Sequence, residues 1–105
     1  MLAELTLIVR LKAKPGRGPE LEGAMRAVVE PTHREAGCIR FALHRSTTDR
    51  DVYVLVERWS SKQALETHLA EPYLKTLLAQ LSELAEPSDV AEYEMLEAGN
   101  PKKLL

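Results

Sequence analysis

Two stretches of equal length, each reading strand, helix, strand, predict an α+β domain of the ferredoxin-like class, a split βαβ unit in the order βαββαβ with one antiparallel sheet. Three observations carry that prediction. Residues 1–46 and 52–97 repeat one order of elements; apolar side chains recur with period two in the strands and at helical spacing between them; and 105 residues, 45% of them hydrophobic, suit one core rather than two. Residues 1–97 are read as the domain and 98–105 as a tail without periodicity.

The first strand is expected over residues 3–13, where Leu5, Leu7, Val9 and Leu11 share one face and Thr6, Ile8, Arg10 and Lys12 the other. Pro15, Gly16, Gly18 and Pro19 then break the pattern. Pro19 followed by Glu20 suits the first turn of a helix, where a missing N–H is harmless and a carboxylate meets the positive end. Leu21, Ala24, Met25, Val28 and Val29 form the apolar stripe of that helix. Pro31 is expected to kink it or end its first segment, the chain turning on through His33 and Arg34 until Gly37 supplies a stop. Cys38–Ser46 alternates again, with Ile39, Phe41 and Leu43 opposed to Arg40, Ala42 and His44, and Thr47–Asp51 is a connection of hairpin length. Val52–Trp59 is the most apolar strand. Ser60 or Ser61 caps a helix carrying Ala64, Leu65, His68 and Leu69, and Glu71-Pro72 breaks it before a second stripe of Leu74, Leu77, Leu78 and Leu81. Residues 89–97, with Val90, Tyr93 and Met95 around Glu92 and Glu94, read as an edge strand with a charged side.

Right-handed crossovers place the first and third strands at the centre of the sheet and both helical segments on one face. The other face then carries Ile8 and one side of the third strand, either Val52, Val54 and Val56 or Tyr53 and Leu55. An uncovered apolar sheet face predicts a homodimer.

Composition excludes several functions. Lys plus Arg 14 against Asp plus Glu 16 leaves a net charge of −2 and no basic block for a phosphate backbone, so no nucleic acid partner is expected. No apolar run approaches the ~20 residues that span a bilayer, and the opening MLAELTLIVRLKAKPG lacks the layout of a signal peptide, so no membrane partner and a cytoplasmic location are expected. The one cysteine, Cys38, and three histidines, His33, His44 and His68, have no metal-ligand spacing, so no metal is expected. There is no GxGxxG, Walker loop or GxSxG.

His68 lies on an apolar helix stripe, an odd place for an imidazole. It is either a core histidine bonded to a backbone carbonyl or a base lining a cleft between helix and sheet. Trp59 ends the third strand where the next helix begins and plugs that end of the core. Tyr73, after the helix break, either turns its hydroxyl into the same cleft or packs on the surface. Arg40, His44 and Glu57 are expected as surface or interface charges, His33 beside Arg34 and Glu35 as solvent-facing, and Cys38 as a small buried hydrophobe.

The segments LIVRLKAKPGRGPEL, EAGCIRFALHRS and VYVLVERWSSKQALETHLAEPYLKTL resemble the antibiotic biosynthesis monooxygenase domain family, in particular its small quinol monooxygenase-like members. The pattern E-x-W-x-S-x-x-A-L-x-x-H-L is carried by Glu57, Trp59, Ser61, Ala64, Leu65, His68 and Leu69. The resemblance implies a dimeric α/β barrel with a small pocket in each subunit, and oxidation of an electron-rich phenol or quinol by molecular oxygen without cofactors. Many relatives have a second histidine where this chain has Tyr73. The positions that the heme-degrading branch needs as Asn, Trp and His hold Val9, His68 and Leu78, so heme degradation is not expected. The resulting expectation is a cofactor-independent monooxygenase with His68 catalytic and Trp59, Tyr73, Phe41 and Leu65 around a small aromatic substrate. The alternatives are a noncatalytic small-molecule binding domain and a dimerisation or regulatory module.

Overall fold

In a computed structural model that describes residues 4–105, the chain runs β1 (Leu5–Lys12), α1 (Gly18–His33), β2 (Cys38–Arg45), β3 (Val52–Trp59), α2 (Lys62–Leu69), α3 (Pro72–Leu84) and β4 (Asp89–Tyr93), with a 3-10 turn at Pro101–Lys103. The sheet order is β2-β3-β1-β4 and each adjacent pair is antiparallel. This is the ferredoxin-like α+β fold, with the apolar first and third strands at the centre. The expected strand start at residue 3 lies outside the described residues. At the other end Ala13 leaves the ladder and bridges Ala85, after α3.

Alternation along the strands sends Leu7, Leu11, Phe41, Tyr53, Leu55 and Trp59 toward the helices, where they form one core with Leu21, Met25 and Val28 of α1, Leu65 of α2 and Leu74, Leu77 and Leu84 of α3. The face of β3 left away from the helices is therefore Val52, Val54 and Val56; Ile8 pairs with Val56 across the ladder and shares it.

α1 runs through Pro31 to His33, where the chain is expected to keep turning: a proline in the last turn removes a single backbone bond, and the buried Thr32 hydroxyl donates to the Val28 carbonyl at 2.6 Å there. Two boundaries differ from expectation. Gly37 is not a left-handed stop, since among the described residues only Gly16 and Gly99 have positive φ. Its function is space. A Cβ at residue 37 would lie 2.4 Å from the Ala64 Cβ, so the turn between α1 and β2 presses on α2 only because the side chain is missing. The last strand stops at Tyr93 rather than residue 97, because its one neighbour, β1, begins at Leu5 and the ladder ends at the Thr6–Tyr93 pair.

Short local signals set α2 and α3 at an angle to each other. The Ser61 side chain accepts a bond from the Ala64 N–H at 3.0 Å and starts α2, while Pro72 stands in the first turn of α3. No helix among the described residues is long and apolar enough to cross a membrane.

The Gly37–Ala64 approach yields a stability prediction. Gly37→Ala is expected to cost about 1–3 kcal/mol in urea denaturation, the usual range for overpacking. In the double variant with Ala64→Gly the two losses do not add, because the second change removes the atom the first one meets. Additive losses would show that the contact is not the cause.

Candidate functional site

A cavity of about 330 Å³ lies between the inner face of the sheet and the α2–α3 corner. Its wall is built from leucines, among them Leu7, Leu55 and Leu65, together with the ring of Phe41. Two buried polar side chains interrupt that wall, Glu57 from β3 and His68 from α2, while Lys62, Glu66, Ser88 and Glu92 add exposed polar groups to the lining. The open side is marked by the exposed Leu69, Leu78 and Val90 and by an ion pair between Lys62 at the start of α2 and Glu92 of β4 at 2.6 Å.

His68 is 2% exposed and sits among aromatic rings, with the Trp59 ring centroid 4.5 Å away and that of Phe41 at 5.7 Å. Its hydrogen-bond partner is not a backbone carbonyl but the carboxylate of Glu35, 2.8 Å from Nδ1. Glu35 stands in the turn that Gly37 lets approach α2. A carboxylate only accepts, so Nδ1 carries the hydrogen, and whenever the ring is neutral Nε2 presents a lone pair. Nε2 has no partner among the described residues, and the residue lines the cavity. The arrangement is an oriented base at the edge of an apolar space.

Tyr73 donates its hydroxyl to the same Glu35 oxygen, from the side of His68 away from the cavity. Burial, reinforced by that bond, pushes its phenol up to about 12. The tyrosine is thereby a fixed donor to Glu35, and its ring borders an open groove between α1 and α3. Trp59 is fully buried and donates Nε1–H to Glu57 Oε1 at 2.9 Å.

Of the residues expected around one pocket, His68, Phe41 and Leu65 line the cavity, whereas Trp59 and Tyr73 do not. They hold the imidazole from behind instead. A bulge between Cys38 and Arg40 sets the face of β2, so that Phe41 points inward and His44 is exposed. Cys38 is half-buried against the core, and burial, aided by Glu35 and Glu57, holds its thiol above the usual range. His33 is exposed, with Nε2 at 2.8 Å from the Phe41 carbonyl oxygen.

Two residues that the sequence reading set aside stand at this site. Glu57 is not a surface charge: it is 4% exposed, and the signal was present, since period two places it on the core face between Leu55 and Trp59. Burial pushes its carboxyl up to about 7; the bond from Trp59 opposes the shift and the neighbouring Glu35 adds to it. Glu35 lies in an aperiodic turn, and its position has no signal in the pattern of side chains.

The family model described as antibiotic biosynthesis monooxygenase matches residues 5–88. The curated protein "Putative monooxygenase Rv0793" of Mycobacterium tuberculosis is 32% identical over 80% of this chain and 82% of its own. A Synechocystis relative, sll1783, is 26% identical over 83% of this chain, which spans 60% of that protein's length. Among solved structures, PA3566 from Pseudomonas aeruginosa has a TM-score of 0.88 at 30% identity, covering 92% of this chain and 98% of that one. The structure of Rv0793 has a TM-score of 0.87 at 28% identity, covering 93% and 100%.

The buried carboxyl makes stability depend on pH. Glu57 titrates at 4.5 when unperturbed and at about 7 in the fold. Between those values the folded chain holds more protons than the unfolded one, so this group's contribution falls as pH rises through the window and is level above it. Glu57→Gln has no such term. Its stability relative to the unsubstituted protein should therefore rise by on the order of 3 kcal/mol from pH ~4.5 to pH ~8 in urea denaturation. A difference that stays flat with pH would mean that Glu57 ionises as an exposed carboxyl does.

Proposed function

The chain belongs to the antibiotic biosynthesis monooxygenase family, and we propose that it oxidises a small phenol or quinol with molecular oxygen in the cavity beside His68, without metal, flavin or nicotinamide. The observation that carries the reading is the orientation of His68, whose Nδ1 is held by Glu35 while the residue lines an apolar cavity. Ground-state oxygen accepts electrons one at a time, and a phenolate gives one up far more readily than a phenol. The enzyme's task is thus to remove a proton where water is scarce.

In this reading Nε2 of His68 takes the phenolic proton and Glu35 stabilises the imidazolium that forms. Phe41 and Leu65 hold the flat ring against the leucine wall. Trp59 and Tyr73, whose rings and hydroxyl contact the His68–Glu35 pair, act through the imidazole. For a quinol the balance closes without another reductant: quinol and dioxygen give hydroxyquinone and water, all four electrons coming from the substrate.

The reading includes a homodimer in which the helix-free faces of two sheets pack together into an α/β barrel, with Ile8, Val54 and Val56 at the centre and residues 98–105 adding contacts outside the 1–97 domain. Apolar surface is worth ~25 cal/mol per Å² removed from water, and each of these side chains is already half-covered by its sheet neighbours, so large flat contact rather than deep insertion suits this face. A cytoplasmic site of action completes the proposal.

Oxygen uptake over a panel of quinols tests the reaction. Turnover above the autoxidation blank, insensitive to chelators, is expected. His68→Ala should lower kcat by about 10²–10⁴-fold with KM little changed, and Glu35→Gln by less, because a glutamine still occupies the position of the acceptor. Uptake no greater than the blank would leave the cavity a binding site without oxygenase activity. The dimer is tested separately by sedimentation at micromolar concentration, where a species of twice the 11.8 kDa chain is expected and a lone 11.8 kDa species overturns it.

A further inference from the structure

The proton transfer assigned to His68 leaves Glu57 unused, although it occupies the opposite, sheet-side wall of the cavity. One of its oxygens accepts the Trp59 indole N–H; the other takes no bond among the described residues and, as no fully buried side-chain oxygen there lacks a partner, it reaches accessible space. A carboxyl can hold a hydroxyl in either protonation state, as acceptor when ionised and as donor when neutral. The charges around it exclude a second anion. Beside Glu57 the lining contains Glu66 and Glu92, and its one lysine, Lys62, is already bonded to Glu92. Apart from His68 and the exposed Ser88, the rest of the lining is apolar, out to Leu69, Leu78 and Val90, which are 45%, 49% and 58% exposed at the open side.

We propose that Glu57 is the specificity-determining residue of this cavity: its free oxygen holds a ligand hydroxyl, so that the site takes uncharged hydroxyl-bearing aromatic compounds and refuses counterparts bearing a carboxylate or phosphate. The proposal rests on the cavity's being the substrate site and is independent of whether oxygen is consumed there. A neutral ring places its hydroxyl at Glu57 and its apolar edge toward the leucines. An anionic ring of the same shape meets a carboxyl in a medium too apolar to screen it, while Lys62 is bonded to Glu92 and His68 to Glu35.

Equilibrium dialysis of the full chain against 2-naphthol and 2-naphthoate, which share one ring system, tests the assignment. The unsubstituted protein should bind the naphthol at least about tenfold tighter than the naphthoate. Glu57→Gln should shrink that ratio several-fold by admitting the naphthoate. A ratio unchanged by the substitution overturns the proposal. The unsubstituted protein supplies a second measurement, because its only tryptophan gives one indole N–H resonance and that N–H is bonded to Glu57. Saturating 2-naphthol should move the resonance, and a stationary peak overturns the assignment. If neither probe binds, this proposal and the cavity reading fall together. If the discrimination is present and Glu57-dependent while no quinol is oxidised, the role of Glu57 stands and the oxygenase reading alone is lost.

Discussion

An imidazole on the apolar face of a helix must find a hydrogen-bond partner inside the protein, and here the partner comes from a turn 33 residues earlier in the chain. The rest of the site is arranged around that one bond. Gly37 has no side chain, so the turn that carries Glu35 can press on α2. Ser61 fixes where α2 begins, and so which of its residues face the sheet. Trp59 ends β3 beneath the imidazole, and Tyr73 enters from the start of α3 to share the carboxylate. A carboxylate with two donors and an imidazole with aromatic neighbours hold one ring in one orientation, which a base needs if its second nitrogen is to meet a ligand.

The elements of the fold were legible because each is specified locally. Period two in Leu5–Leu11 and Tyr53–Trp59, the helical stripe from Leu21 to Val29, the Ser61 cap and Pro72 all survive as read. What could not be read was set by contacts between distant segments. Gly37 looked like a helix stop, because glycine after a helix usually is one; its real constraint, the Ala64 Cβ, lies across the fold. Glu35 was invisible for the same reason. Glu57 is a different case: its parity places it on the core face, whereas its charge points to the surface or an interface, and parity prevails. Trp59 and Tyr73 stand beside His68 without lining the cavity, since nothing in a linear pattern tells which side of a ring a neighbour occupies.

Polar groups in the core exact a stability cost that the fold meets unevenly. Thr32 and Trp59 satisfy their donors with local bonds, and Tyr53 donates to Glu22 on α1 at 3.2 Å. Glu57 receives one bond for two oxygens, and burial raises its proton affinity accordingly. The local energetic conflict and the apolar cavity therefore share a wall. A well-packed isostere would serve the core better, which sets this position apart from the leucines around it.

The weakest boundary of the cavity is β4. It hydrogen-bonds to a single neighbour over five residues, most of its side chains are exposed, and its tie to α2 is an exposed ion pair of the kind worth ~0–1 kcal/mol. Backbone amides in such a strand exchange with solvent through local opening rather than global unfolding. Val90 and Glu92 are wall residues, so each opening event also enlarges the entrance. The entrance is thus bounded by a strand held along one edge only, whereas Trp59 and His68, both buried, stand on elements packed into the core.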